Sequence, residues 1–418
     1  MASRTPDWSA LASENERFLA DGGASAERLI APPEAEGSAP RAAAGARSAG
    51  ARPRRSRWWL RGAAAAAAVA LAAAGAATAA ATTTPAVPPL AWHLVKQVRQ
   101  GASGEFTAIA AVGSTGGWAF SGDGTAAPTA FRRSGATWAQ APFPGHRDER
   151  IVAAQATSAA NVWAFTTNGT RSRALRFNGR AWSVAGSFSR EIAGAVVVSS
   201  TDVWVFGDQF QEGGVLGTWH YNGRTWTHIP GQGGLNGGSA LSATSIWAFG
   251  GTHVSHFNGR TWSATSVAAL LPPANPEHLN DPSVMAMYAQ SPASVWAVGN
   301  GNTEDDGGPL VVLHFNGRAW SKVAQSDVSG SEYFGQIAPD GRGGLWIPVP
   351  AADGSASHLM HYSGGRLTAA VLPVAASRIT VLAVAWVPGT FRALAGGATH
   401  APGNFGADVV SVILHYMR

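Results

Sequence analysis

Cysteine is absent from all 418 residues. That excludes disulfides, thiolate nucleophiles, iron–sulfur clusters and cysteine-ligated zinc, and it neither demands nor forbids an exported location. Charge is sparse too: Asp, Glu, Lys and Arg make up 13% of the chain, with lysine scarce beside arginine, as in a high-GC bacterial genome. The formal net charge is +5. Residues 1–62 hold ten arginines and seven acidic residues and so account for +3, and the remaining +2 is no nucleic-acid footprint. Within the repeats that follow, no segment of useful length keeps an apolar stripe at helical spacing, which argues against a helical solenoid. No Ser-His-Asp arrangement, paired-carboxylate pattern or phosphate-binding glycine loop stands in a supporting context. The acidic group Glu304, Asp305 and Asp306 lacks the alternating ligand spacing of an EF-hand and reads as an exposed loop. The sequence therefore assigns no catalytic residue, no cofactor and no metal.

What the chain does have is repetition. One recurring half is a strand ending in a small-Val-Trp-Ala-Phe-Gly run, with Trp118, Trp163, Trp204, Trp247, Trp296 and Trp346 spaced 41 to 50 residues apart and Phe391 in the seventh place. The other half reads His-Phe-Asn-Gly-Arg-Thr-Trp, from His220 to Trp226, His256 to Trp262 and His314 to Trp320, with Arg176 to Trp182 a close variant. The apolar runs are short, as in Val284 to Ala289 and Val295 to Val298, and turn residues separate them. A period of this length made of short strands suits a four-stranded propeller blade. The predicted fold is all-β, a seven-bladed β-propeller.

Asn178-Gly179, Asn222-Gly223, Asn258-Gly259 and Asn316-Gly317 predict two-residue type I′ hairpins joining the third and outer strands. The tryptophans then pack between blades, in keeping with 17 Trp beside five Tyr. The seventh unit runs through Ile379 to Val384, Phe391 to Leu394 and Val409 to Tyr416 and lacks a tryptophan-bearing outer strand. Ala91-Trp92-His93-Leu94-Val95-Lys96-Gln97-Val98 resembles that missing strand, as comparison with Ala319 to Gln325 shows. The N-terminal strand is thus expected to close the ring and to protect its sheet edges.

Residues 1–58 are rich in Ala, Pro, Gly and charge and read as a disordered tail. Arg52, Arg54, Arg55, Arg57 and Arg61 crowd against Trp58-Trp59-Leu60, and Gly62 to Ala81 is an uncharged stretch of mostly Ala. Residues 59–81 are read as one transmembrane helix. The basic cluster predicts a cytoplasmic N-terminus, a single pass through the cell membrane and an extracytoplasmic propeller. The alternative is secretion after signal cleavage. Residues 82–90 form a linker, and 91–418 the propeller.

His220, His256, His314, His361 and His415 share one repeat position, held by Arg132 and Arg176 in the first two units. Blades rotate that position around an axis, so a structural role is expected, with the imidazole bonding a turn carbonyl. Arg180, Arg224, Arg260 and Arg318 follow the Asn-Gly pairs and read as solvated tips whose stems cover tryptophan faces. Insertions at 208–214, 270–282 and 396–408 are better places for recognition. Trp219, Phe210, His278, Asn280 and His400 are the ligand-contact candidates.

The units resemble bacterial propeller repeats of the broad kelch and sialidase/photosystem-assembly-factor kind, through Gly117-Trp118-Ala119-Phe120, Val203 to Gly207 and Asn222 to Trp226. The likeness covers 91–418 and implies a fold rather than an activity; the chain looks closer to actinobacterial membrane-linked propellers than to kelch or sialidase repeats. The sialidase Ser-x-Asp-x-Gly-x-x-Trp box is not present. The expected function is a non-catalytic extracytoplasmic binding or scaffold module for a protein or glycan of the cell envelope, held to the lipid bilayer through 59–81. The alternative is a glycan-active hydrolase or lyase using loop carboxylates near the axis.

Overall fold

A computed structural model describes residues 89–100, 104–207, 216–273, 282–301, 308–329, 336–349, 358–373, 378–400 and 409–418. The predicted tail, the apolar segment 59–81 and the linker up to residue 88 lie outside them, as does the acidic group at 304–306. Among the described residues no helix is long and apolar enough to cross a membrane.

Seven four-stranded antiparallel sheets make a seven-bladed propeller. Six blades are consecutive meanders over 106–141, 150–188, 194–229, 237–266, 283–329 and 338–369. Blade 7 takes three strands from 378–417 and its outer strand from Ala91–Arg99. Trp92 pairs with Tyr416, His93 with His415 and Leu94 with Leu414; after a bulge at Val95 the ladder resumes from Lys96 to Arg99. The ring closes as the sequence predicts.

Burial follows strand position. The second strand of blade 2, Asn161–Thr167, is buried along its whole length, because neighbouring blades cover both faces. That double burial explains the unbroken Val-Trp-Ala-Phe runs. Outer strands such as Trp262–Ser266 bury chiefly their leading tryptophan. That ring meets the second-strand tryptophan of the preceding blade edge-on. The centroid distances are 5.2 Å for Trp182 on Trp118, 5.7 Å for Trp262 on Trp204, 6.0 Å for Trp320 on Trp247 and 5.1 Å for Trp92 on Trp346. The aromatic beside the histidine position adds a second contact, with Phe257 at 5.3 Å from Trp204 and Tyr416 at 4.8 Å from Trp346. Each of the six seams from blades 1–2 to blades 6–7 has an aromatic cluster shared by two blades.

Three expectations need correction. Phe391 is not the seventh tryptophan equivalent: it sits before the strand Ala393–His400, is 49% exposed, and carries the Arg342 guanidinium 4.6 Å above its ring. Leu394 occupies the position, paired with His415 as Trp204 is with His220. The same strand reaches His400, so the first five residues of the supposed insertion at 396–408 belong to the sheet.

The Asn-Gly hairpins are not two-residue type I′ turns either. Phe177 pairs with Trp182 and Tyr221 with Trp226, which leaves four-residue loops. The glycines take positive φ, 98° at Gly179 and 92° at Gly223, while Asp148 is the one non-glycine with positive φ among the described residues. Asn222 instead turns its side chain inward, and Oδ1 accepts the N–H groups of Arg224 and Thr225 at 3.0 Å each. Asn is chosen here for its carbonyl oxygen, not for tolerance of a left-handed backbone.

Candidate binding face

The repeated histidine is a structural group. In blade 3 the His220 ring stacks 4.3 Å from Trp204, and its Nε2 donates to Asp202 Oδ1 at 3.0 Å. Blades 4 and 5 repeat the stack at 4.2 and 4.1 Å, with Ser245 Oγ 3.1 Å from His256 Nε2 and Ser294 Oγ 3.0 Å from His314 Nε2. In blade 6 His361 stacks on Trp346 at 4.1 Å and bonds Asp340 Oδ2 at 2.9 Å. The partners are side chains at or near the start of the second strand, not the expected turn carbonyls. Burial lowers the His256 and His314 pKa values, which favours neutral rings. Arg132 and Arg176 fill the slot in blades 1 and 2, with guanidinium carbons 5.6 and 5.7 Å from the Trp118 and Trp163 ring centroids. Arg180, Arg224, Arg260 and Arg318 are exposed at the hairpin tips, and the guanidinium-on-tryptophan contacts come from Arg132 and Arg176.

The first strands of all seven blades line a central cavity of about 640 Å³. Its wall is mostly Ala, Gly and Val because the first strands crowd together there: a Cβ on Gly194 would lie 2.3 Å from Asn236 O. Several polar side chains of the wall stitch blade to blade. Gln155 donates to Ala195 O and accepts from Val197 N–H, both at 2.8 Å, and Ser239 Oγ accepts Ala289 N–H at 3.0 Å. Burial raises the Tyr288 pKa, so that wall phenol stays protonated. Asp123 is the one carboxylate among the described lining residues and Arg150 the one arginine. Asp123 Oδ1 is occupied by the N–H and hydroxyl of Thr125, at 2.9 Å each.

A four-stranded meander sends its connections alternately to two faces. Turns between the first and second strands, and between the third and outer strands, open on one face. There the described hairpins are short: two residues at 135–136, 159–160, 200–201, 243–244, 292–293 and 364–365, three at 113–115, four at 178–181, 222–225, 258–261 and 316–319, five at 340–344 and six at 387–392. Second-to-third strand connections and blade-to-blade connections share the opposite face. These range from two residues at 251–252 to nine at 208–216 and sixteen at 267–282. All three insertions marked in the sequence join strand ends on this variable face. The start of the longest is anchored by a 3-10 turn, Ala268–Leu270, flanked by buried Val267 and Leu271.

Of the sequence candidates, Phe210, His278 and Asn280 lie outside the described residues. Trp219 is half-buried near the variable face: its ring packs on Phe188 with centroids 5.8 Å apart, and Nε1 donates to Leu216 O at 3.0 Å. His400 ends the second strand of blade 7, paired through its backbone with Arg378. The structure therefore gives contacts for Trp219 but does not bring the five together as a described cluster.

Sequence reasoning missed a polar group on this face at blades 1 to 3. Arg173 clamps Glu149 with Nε on Oε1 at 2.6 Å and Nη2 on Oε2, and donates also to Pro144 O at 2.8 Å. Burial alone would raise the Glu149 carboxyl, but bonds from Arg173 and from His146 N–H outweigh it and the pKa is lowered. Arg150 pairs with Glu191 across the next seam. Arg147, Arg171 and Arg190 stand exposed around these pairs. The available signal was the run His146 to Arg150, five consecutive ionisable residues in a chain with few charges. Among the described residues no three His, Asp or Glu side chains gather as metal ligands.

No protein-family model matches the chain, and no curated protein matches it significantly. Among solved structures it is similar to YCF48 bound to a D1 peptide, at 12% identity over 80% of this chain and 99% of that one, with a TM-score of 0.50. It is also similar to the RRP9 WD40 repeats, at 11% identity over 78% of this chain and 98% of that one, with a TM-score of 0.52. The extracellular domain of the hybrid two component system BT4673 from B. thetaiotaomicron is 12% identical over 78% of this chain and 39% of that one, with a TM-score of 0.50. Likeness at this identity establishes the shared propeller fold.

Proposed function

We propose that the ring is a non-catalytic binding module that takes a protein partner on its variable face. The observation that carries this reading is the contrast between the faces: hairpins of two to six residues on one, connections of two to sixteen residues on the other. The repeated Trp and His side chains are engaged in holding blades together, so specificity falls to the connections. The peptide complex of YCF48, a protein of the same fold, supports a peptide or protein ligand over a small molecule. The exposed Arg147, Arg171 and Arg190 favour an acidic contact segment. An envelope glycan is the alternative ligand. Attachment to the cell membrane through 59–81, with the propeller outside, completes the proposal and rests on the arginine cluster and apolar run of the sequence.

The test is photo-crosslinking in intact cells with the full chain. A photoreactive residue is placed at Arg171 or Arg190 on the variable face, and at Arg224 or Arg260 on the other. The same partner captured from the first pair alone supports the proposal. Equal labelling from both faces, or none from a folded and exported protein, counts against it.

A further inference from the structure

Where blade 7 meets blade 1, three repeat positions change together. In blades 2 to 5 the second strand carries a hydrogen-bonding side chain two residues before the tryptophan, namely Asn161, Asp202, Ser245 and Ser294; in blades 1 and 6 the position is Gly116 and Gly344, and in blade 7 it is Arg392. The tryptophan itself is Leu394. The aromatic that the next blade sends onto it, Phe177, Tyr221, Phe257, Phe315, Tyr362 or Tyr416 at the other seams, is Arg133 in blade 1. Two rings and an acceptor have given way to an aliphatic chain and two guanidinium groups.

Among the described residues the seam is consequently cationic and short of side-chain acceptors. Arg133 is 8% exposed and His415 4%. Arg133 Nε donates to Gly135 O at 2.9 Å, but its Nη1 and the Nε2 of His415 are buried without a partner. The histidines of the same slot in blades 3 to 6 all have one. Burial, then Arg133, Arg392 and His93, holds the His415 pKa down to about 4, and none of the charges acting on it is negative. Burial and Arg392 likewise lower the Arg133 pKa. Unpaired buried donors among like charges are costly unless an anion meets them.

We propose that the seam between blades 7 and 1 binds an oxyanion, a phosphate or carboxylate group, between Arg133 Nη1, the Arg392 guanidinium and the His415 ring. The two guanidinium groups supply charge-assisted donors that such a group takes, and the neutral His415 ring adds an N–H when its proton is on Nε2. Arg392 is exposed and stands on the solvent side, so an arriving anion meets it first. Arg392 belongs to the 387–392 connection and Arg133 stands beside the 135–136 turn, so the site lies toward the hairpin face, away from the variable connections, and does not depend on the protein-binding proposal.

The full chain is titrated with inorganic phosphate and, separately, with acetate at constant ionic strength. The readouts are the His415 ring resonances, assigned by their loss in His415→Phe, and the thermal midpoint. A saturable shift with a raised midpoint is expected, and the tighter of the two anions distinguishes phosphate from carboxylate. Arg392→Asp, which places a carboxylate where blade 3 has Asp202, weakens the affinity about tenfold or more, the worth of one charged hydrogen bond. Arg392→Gln does the same without adding a charge, while Arg260→Asp on the same face leaves the affinity unchanged. No saturable response to either anion, or undiminished affinity in both Arg392 variants, overturns the site.

Discussion

The rings of Trp204 and His220 stack 4.3 Å apart and both donate to one oxygen, Asp202 Oδ1, at 2.9 and 3.0 Å. A single carboxylate thereby satisfies a buried indole N–H and a half-buried imidazole N–H at a blade seam. Asp202→Ala strands both donors, and a cost of about 2–4 kcal/mol follows from one to two unsatisfied groups. Asp202→Asn keeps an acceptor oxygen and costs less than half of that. Urea midpoints of the two variants decide the matter. Equal losses would mean that the negative charge, not the shared hydrogen bond, stabilises the seam.

Blade 4 shows the same site with a weaker residue. Ser245 Oγ reaches His256 at 3.1 Å, while Trp247 Nε1 is buried without a partner. One hydroxyl serves one ring where a carboxylate serves two. Ser245→Asp supplies the missing acceptor and is expected to stabilise the protein by about 1 kcal/mol, visible as a higher thermal midpoint. A lower midpoint would show that desolvating the new carboxylate outweighs the bond.

The fold was legible because it rests on residues with one strong physical preference. Trp92 matched the outer-strand tryptophans by eye, and it pairs with Tyr416 as Trp226 pairs with Tyr221. The seventh tryptophan position was misread because Leu394 carries no aromatic signal and Phe391, three residues earlier, does. Register settles it through the pairing of Leu394 with His415. The polar network was harder to read. Asp340 reaches His361 from outside the strand that bears Trp346, and Glu149 finds Arg173 from 24 residues away. No spacing rule announces such partners. Glu149 is placed by the connection between blades 1 and 2, and Asp340 by the turn between the first two strands of blade 6.

The hairpins offer a direct test of why asparagine recurs. A type I′ turn would be improved or untouched by Asn222→Gly. The observed loop instead loses the two bonds that Asn222 Oδ1 accepts at 3.0 Å. A loss of about 1 kcal/mol is expected, with no change of register. Gly223→Ala should cost at least as much: φ is 92°, and the added Cβ would lie 2.7 Å from the Thr201 side chain. A neutral or stabilised Asn222→Gly variant would return the loop to the two-residue form.

Stability should fall on mild acidification, before the carboxylates titrate. His415 is held at about 4 in the fold, against about 6.5 for the ordinary imidazole of the unfolded chain. Between those values the unfolded state binds the extra proton, so stability drops as the pH goes down. His256 and His314, also lowered by burial, act in the same direction. Glu149 and Asp340 are lowered carboxyls whose stabilisation is complete above the ordinary carboxylate range and is lost only below it. His415→Phe, which puts a ring in a slot that holds rings elsewhere, should flatten the slope above pH 4 and leave the steeper fall below it. Urea midpoints across that range would sink the idea if the two slopes coincide.

Closure of the ring depends on few side chains, which makes it the place to weaken the fold selectively. Trp92 is 4% exposed, 5.1 Å edge-on to Trp346 and 5.3 Å from Tyr416. Gln100 ties the same strand to blade 1: its Nε2 donates to Ser411 Oγ at 2.8 Å, and its Oε1 accepts Ser121 Oγ at 3.1 Å and Thr129 Oγ1 at 2.5 Å. Trp92→Ala should cost about 3–5 kcal/mol as a large-to-small change in a packed seam. Gln100→Leu should cost about 1–3 kcal/mol by leaving hydroxyls without their acceptor. Trp92 serves the seam between blades 6 and 7 and Gln100 the seam between blades 7 and 1, so both losses fall on blade 7, and hydrogen exchange should quicken first in 410–417, the strand that pairs with 91–99. Blade 4, on the far side of the ring, should keep its protection. Uniform loosening of all blades would mean that the propeller unfolds as one unit, and that the joined chain ends are no weaker than any other seam.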